Sequence, residues 1–147
     1  MLFICYPKCS TCKKAKKFLT DHQIEFDERH IVEEKLNKDE LIEHIAKFTS
    51  SIWQVHPFGE GNTRTTAVFI EKYLNNMGFD INNDMFKEYS LYFRNALVRS
   101  NYGNIPKGIY PTFDYLIMFF ENLLQGKKNE LDNKEPYIKE LFENNNK

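Results

Sequence analysis

The chain has 147 residues, 41% of them apolar, with 13 Phe and 8 Tyr, and a formal charge of −1. That length suits one ordinary domain, or one domain with a smaller appendage, and supplies enough bulk for a core. Near-neutral charge argues against nucleic acid as the partner, because backbone phosphates are met by a basic face. The longest apolar run, residues 115–120, is far short of the about 20 residues of a membrane span. The start "MLFICYPKCS" has no basic lead and too short an apolar stretch for a signal peptide. Three cysteines, two of them as Cys-x-x-Cys, suit a thiol or metal site rather than a disulfide framework, so a cytoplasmic protein is expected.

In chain order, "LFIC" (residues 2–5) reads as a buried strand stopped by "YPKCS". Residues 12–22 read as a helix with Ala15, Phe18 and Leu19 on one face and Lys13, Lys14, Lys16 and Lys17 around it. Alternation over 24–32 predicts a second strand, which completes a βαβ-sized unit. Asn37 is placed to cap the next helix, with Glu40 completing a capping box. Ile42, Ile45, Ala46, Thr49, Ile52 and Trp53 then recur at intervals of three and four until Pro57 stops the helix. "HPFGEGN" is loop. A helix over 64–77 follows, ended by Gly78, and it is apolar enough nearly all round to be central. Further helices are expected over 84–99 and 112–125, the last closed by Gly126, with a loop over 101–111 between them. The expected class is therefore α+β and predominantly α-helical. Its parts are a βαβ segment over 1–36, a helical core over 37–126, and a polar tail over 127–147 with room for a short helix around 137–142.

The loop "HPFGEGNTR" (residues 56–64) gathers unusual chemistry. Gly61 and Asn62 both tolerate positive φ, so successive backbone N–H groups can share one concavity. That concavity opens on a helix N-terminus, which favours an anion. Arg64 adds a fork suited to phosphate oxygens. Glu60 would repel a bare phosphate and makes sense beside Mg²⁺. His56 is suited to remove a proton near neutral pH, and Phe58 is expected to anchor the loop in the core. Gly59 reads as a turn residue. Together these parts describe phosphoryl or nucleotidyl transfer from a Mg-nucleotide such as ATP to a hydroxyl.

"HPFGEGNTR" between two helices resembles the Fic signature, H-P-F-x-[D/E]-G-N-G-R-x-x-R, at eight of the nine positions from His56 to Arg64. The resemblance extends over about 45–125. It implies AMP transfer from ATP to a Ser, Thr or Tyr hydroxyl of a protein target. His56 would be the base, Glu60 would hold Mg²⁺, and Gly61, Asn62, Thr63 and Arg64 would line the phosphate cradle. Thr63 stands where the pattern has its second glycine, and Ala67 where it has its second arginine. The family's inhibitory motif has no counterpart.

The stretch "YPKCSTCKKAKKFL" resembles the ArsC/Spx-like arsenate reductase family, a thioredoxin-fold group. The resemblance covers about 45 residues and puts Cys9 at the end of the strand and Cys12 at the start of the helix. It implies Cys9 as nucleophile and Cys12 as its disulfide partner. A helix N-terminus and the nearby lysines would stabilise a Cys9 thiolate. Cys5 reads as core. A zinc site drawn from Cys9, Cys12 and two of His22, His30 and His44 lacks the usual ligand spacing. Beside AMP transfer, the residues leave open a thiol oxidoreductase using Cys9 and a non-catalytic nucleotide-binding or interaction module. The stretch "DYLIMFFENLL" reads as core rather than as a membrane or partner face, though left uncovered it could drive a homo-oligomer.

Overall fold

The computed structural model describes residues 2–6, 8–30, 33–34 and 37–138. The elements are β1 (Leu2–Cys5), α1 (Ser10–Asp21), β2 (Asp27–His30), α2 (Lys38–Gln54), α3 (Asn62–Asn76), α4 (Asp84–Glu88), α5 (Ser90–Asn101) and α6 (Asp114–Gln125), with a 3-10 turn at Ile105–Lys107. The class is α+β and mainly helical, as expected. The chain divides into two compact units, Met1–Leu41 and Ile42–Lys147.

In the first unit β1 and β2 pair in parallel, Leu2 opposite Asp27 and Cys5 opposite His30, with α1 as the crossover. The expected strand ran on to residue 32, but Ile31 and Val32 lie outside the described residues. α1 begins at Ser10, earlier than expected, because Cys9 caps it: the Cys12 N–H donates to Cys9 Sγ at 3.4 Å. Cys9 thus sits at the helix start, four residues past the end of β1. The expected apolar face of α1 is shallow. None of its residues is fully buried, and Phe18 is 57% exposed with the His22 ring 4.0 Å away. The capping box is present as expected. Glu40 N–H donates to Asn37 Oδ1 at 2.8 Å, and Asn37 N–H donates to Glu40 Oε2 at 2.9 Å.

In the second unit α2 buries Ile42, Ile45, Ala46, Thr49 and Ser50. Its Ser50 hydroxyl meets Ser100 of α5 at 2.8 Å and accepts from Asn101 Nδ2 at 2.9 Å, a buried polar tie between the two helices. α3 ends as expected: Gly78 takes φ +93, its N–H bonds Asn75 O and the Phe79 N–H bonds Leu74 O, a Schellman closure. The expectation that α3 is central is corrected. Thr66, Ala67, Ile70 and Leu74 are buried, whereas Phe69 and Tyr73 stay exposed and share an aromatic cluster with Phe48.

The helix expected over 84–99 is two helices, broken at Tyr89. Seven residues of straight helix would separate Phe86 from Phe93 by about 10.5 Å along the axis. Their ring centroids are 5.1 Å apart, and both meet Phe119 of α6, at 5.1 and 5.0 Å. The break is what lets three aromatic rings close one core. α6 also buries Leu116 and Phe120, so its apolar face is core within its own unit, as expected. Gly126 closes α6 at φ +67. The segment expected as a polar tail begins packed. Asn129 donates its N–H to Asn122 Oδ1, Asn122 Nδ2 donates back to Asn129 O, both at 2.8 Å, and Pro136 and Ile138 are buried. The short helix expected around 137–142 falls almost wholly outside the described residues.

Phe119→Ala removes the ring that Phe86, Phe93 and Phe120 share. It should lower stability by about 3–5 kcal/mol in urea unfolding; a loss below about 1 kcal/mol would contradict the aromatic core as described.

Candidate functional site

Pro57 cannot donate, and α2 stops three residues before it. The chain turns at His56, which takes φ +44, a left-handed conformation that His adopts more readily than most residues. Its N–H bonds Trp53 O at 3.2 Å, and its ring stands edge-on to the Trp53 indole, with centroids 4.4 Å apart. The imidazole is exposed at the end of a fixed stem.

Phe58 does not anchor the loop: it is 52% exposed. Asn62 does that work. It is 8% exposed, accepts the Phe58 N–H on Oδ1 at 3.1 Å, and donates Nδ2 to Phe58 O at 2.7 Å. Nor does Asn62 take positive φ; of the two residues expected to, Gly61 alone does, at +79, as the N-cap of α3. The helix therefore starts at Asn62, two residues earlier than expected. The first bond of its ladder runs from Thr65 N–H to Gly61 O, so the amides of Asn62, Thr63 and Arg64 precede the ladder as helix-start donors. Thr63, in the position of a glycine in the Fic pattern, is accommodated because the backbone there is helical. Its Oγ1 accepts from Trp53 Nε1 at 3.1 Å, which ties α2 to α3.

These residues share one cavity of about 480 Å³, lined by His56, Glu60, Gly61, Asn62, Thr63 and Arg64 together with Trp53, Gly59, Arg94 and Val98. All six residues expected from the loop are brought together. Thr63 and Arg64 also line a second cavity of about 340 Å³, which contains Ala67, Phe86 and Phe93 and is more apolar. A buried Ala67, where the Fic pattern has an arginine, forms part of that wall. Arg94 of α5 was missed by the sequence reading. The signal available was a single cation between the buried pairs Tyr92–Phe93 and Asn95–Ala96, but nothing local tied it to the loop thirty residues earlier.

Cys9 and Cys12 are also together, in the first unit. Both are free thiols and half-buried. The Cys12 backbone N–H, and after it the Cys12 side chain, hold the Cys9 thiol below its ordinary range, against the opposing effect of burial and with lesser help from Thr11. The lysines contribute less than expected; Lys16, for one, pairs with Glu28. The zinc set considered from sequence is not gathered. His22 bonds Phe18 O through Nδ1 at 2.8 Å, His44 is exposed on α2, and Cys9 and Cys12 join no metal-competent cluster among the described residues.

Comparisons with known proteins return matches of two kinds. Residues 10–74 match the Fic/DOC family, a stretch that takes in the whole loop and ends inside α3. Over 41 residues the chain is 51% identical to the uncharacterized protein YusI of Bacillus subtilis (strain 168), covering 28% of this chain and 35% of that one. It is 46% identical over 41 residues to the regulatory protein MgsR of the same organism, covering 28% and 32%. It is 40% identical over 45 residues to the global transcriptional regulator Spx of Streptococcus agalactiae serotype V, covering 31% and 32%. The chain thus spans about a third of the length of the curated relatives it matches. No solved structure matches. Both partial resemblances, to Fic and to the ArsC/Spx-like proteins, stand.

A thiol with a lowered pKa remains thiolate to lower pH, and the thiolate is the nucleophile. The pH midpoint for alkylation of Cys9 by iodoacetamide, followed by peptide mass spectrometry, should therefore fall below the about 8.5 of an ordinary thiol. A midpoint at or above that value would contradict the cap geometry.

Proposed function

We propose that the second unit is a Fic-type nucleotidyltransferase, moving AMP from Mg-ATP to a Ser, Thr or Tyr hydroxyl of a protein target. The observation that carries this reading is the shared cavity. A helix start with three ladder-free amides, two arginines, one carboxylate and one exposed histidine converge on it. The two cavities meet along Thr63 and Arg64, which suits a ligand with an anionic end and an apolar, planar end.

The donor set fits a magnesium nucleotide. Glu60 is a lone exposed carboxylate among cations, and Mg²⁺ is commonly held by one carboxylate plus substrate phosphates. Glu60 would hold the ion, which when bound supplies neutralisation of phosphate charge. The rest falls to side chains and backbone. The amides of Asn62, Thr63 and Arg64 and the Arg64 guanidinium orient the phosphate chain. His56, steadied by Trp53, takes the proton of the target hydroxyl. That oxygen forms a bond to the α-phosphorus as the bond from the α-phosphorus to its bridging oxygen breaks. The electron pair leaves on pyrophosphate, whose charge Arg64 and Arg94 offset.

A second reading is favoured by the lowered pKa of Cys9: a thiol function of the first unit, with Cys12 as disulfide partner. The pair is spaced as an N-cap and the third residue of the helix, and two of the relatives matched over 41 and 45 residues are named as regulators.

His56→Ala should abolish transfer of label from ATP labelled in its α-phosphate, a loss of about 100-fold or more if the histidine acts as base. Because His56 is left-handed, His56→Gly is the companion variant; it accepts φ +44 without strain and should be folded and equally inactive. Transfer undiminished in both would sink the assignment.

A further inference from the structure

Parallel register in the first unit sets Cys5 directly opposite His30, and period-two alternation puts Glu28 on the same face as His30. Three donor atoms from side chains far apart in sequence therefore cluster. Cys5 Sγ lies 3.3 Å from Glu28 Oε1, His30 Nε2 lies 3.9 Å from the same oxygen, and all three donors are within 4.8 Å of one another. Zn–S of about 2.3 Å and Zn–N or Zn–O of about 2.0–2.1 Å imply tetrahedral neighbours roughly 3.3–3.6 Å apart. The separations of 3.3 and 3.9 Å need shifts of only about half an ångström or less.

Two further observations point the same way. His30 Nδ1 is buried without a hydrogen-bond partner among the described residues, with Glu33 Oε2 3.5 Å away. That is the arrangement in which a metal on Nε2 fixes the proton on Nδ1, facing a carboxylate. Glu28 already spends its other oxygen, Oε2, on Lys16, which leaves Oε1 for the cluster. The cluster also borders a cavity of about 220 Å³, lined by Cys12 and Lys16 of α1 among others, so a fourth position is open.

We propose that Cys5, Glu28 and His30 form a zinc site that braces the two strands. One thiolate, one imidazole and one carboxylate make a donor set suited to Zn²⁺ rather than to a hard oxygen-seeking ion. The need for a brace is physical. Among the described residues of the first unit Cys5 is the one buried apolar side chain, and units of about this size seldom hold together on core alone. Binding releases the Cys5 thiol proton to solvent and involves no redox change.

The test uses the full chain under reducing conditions and Co²⁺ alone as the probe. One equivalent should give a near-ultraviolet thiolate-to-cobalt band, and Zn²⁺ should displace it. Cys5→Ser should remove the band, and Glu28→Gln or His30→Gln should weaken apparent binding by more than about tenfold. A Cys9→Ser, Cys12→Ser double variant should retain it. A wild-type chain with no band, a band that survives Cys5→Ser, or a band lost in the double variant would each overturn the site. Circular dichroism of every variant separates loss of a ligand from loss of fold, and Glu28→Gln preserves shape if Cys5→Ser does not fold.

Discussion

The geometry of the loop depends on one buried amide. Asn62 grips Phe58 through both the N–H and the C=O of its backbone. A carboxamide can do this because it offers a donor and an acceptor side by side; Asp in that place would leave the C=O unmet, and Leu would leave both groups unmet, in a buried setting. The grip closes the chain over residues 58–62 and forces a left-handed residue just before the helix, where Gly61 accepts φ +79 at no steric cost. Only then does α3 begin where its first amides border the same cavity as His56, Glu60 and Arg64. The Asn62 side chain thus fixes the start of the helix whose first amides border the cavity.

From that point the surroundings fall into two environments. One cavity wall is cationic and amide-rich, the other is Ala67, Phe86 and Phe93. The apolar wall exists because α4 and α5 break at Tyr89 and fold their phenylalanines together against Phe119. The same break sets where α5 begins, and Arg94 lies one turn along it. Core packing and the site are thus coupled through α5. A change in the aromatic cluster that leaves the loop sequence untouched should still be felt at Arg94.

What the sequence made legible was local. The Asn37–Glu40 capping box, the Gly78 and Gly126 closures and the α2 stripe each depend on residues within about one turn, and each is where the sequence put it. The loop residues were legible as a set because their chemistry is unusual at such close spacing. What was not legible depended on distant partners. The Tyr89 break answers to Phe119, thirty residues on, and Arg94 meets the loop only in the fold. Phe58 was misread because a phenylalanine beside glycines suggests an anchor, whereas the neighbouring asparagine had already taken that role. Cys5, Glu28 and His30 become neighbours only through parallel pairing, which no contiguous motif encodes.

The central claim is that the second unit holds an assembled phosphate site, and it is most directly tested by melting the chain with and without Mg-ATP. A nucleotide at about a hundred times its Kd adds roughly 2.7 kcal/mol to a competent folded state. The account predicts a clear rise in melting temperature that is lost in Arg64→Ala, whose exposed side chain can be removed without disturbing the Asn62 grip. A cooperative melt that ignores Mg-ATP in the wild-type chain, or rises equally in the variant, would contradict it.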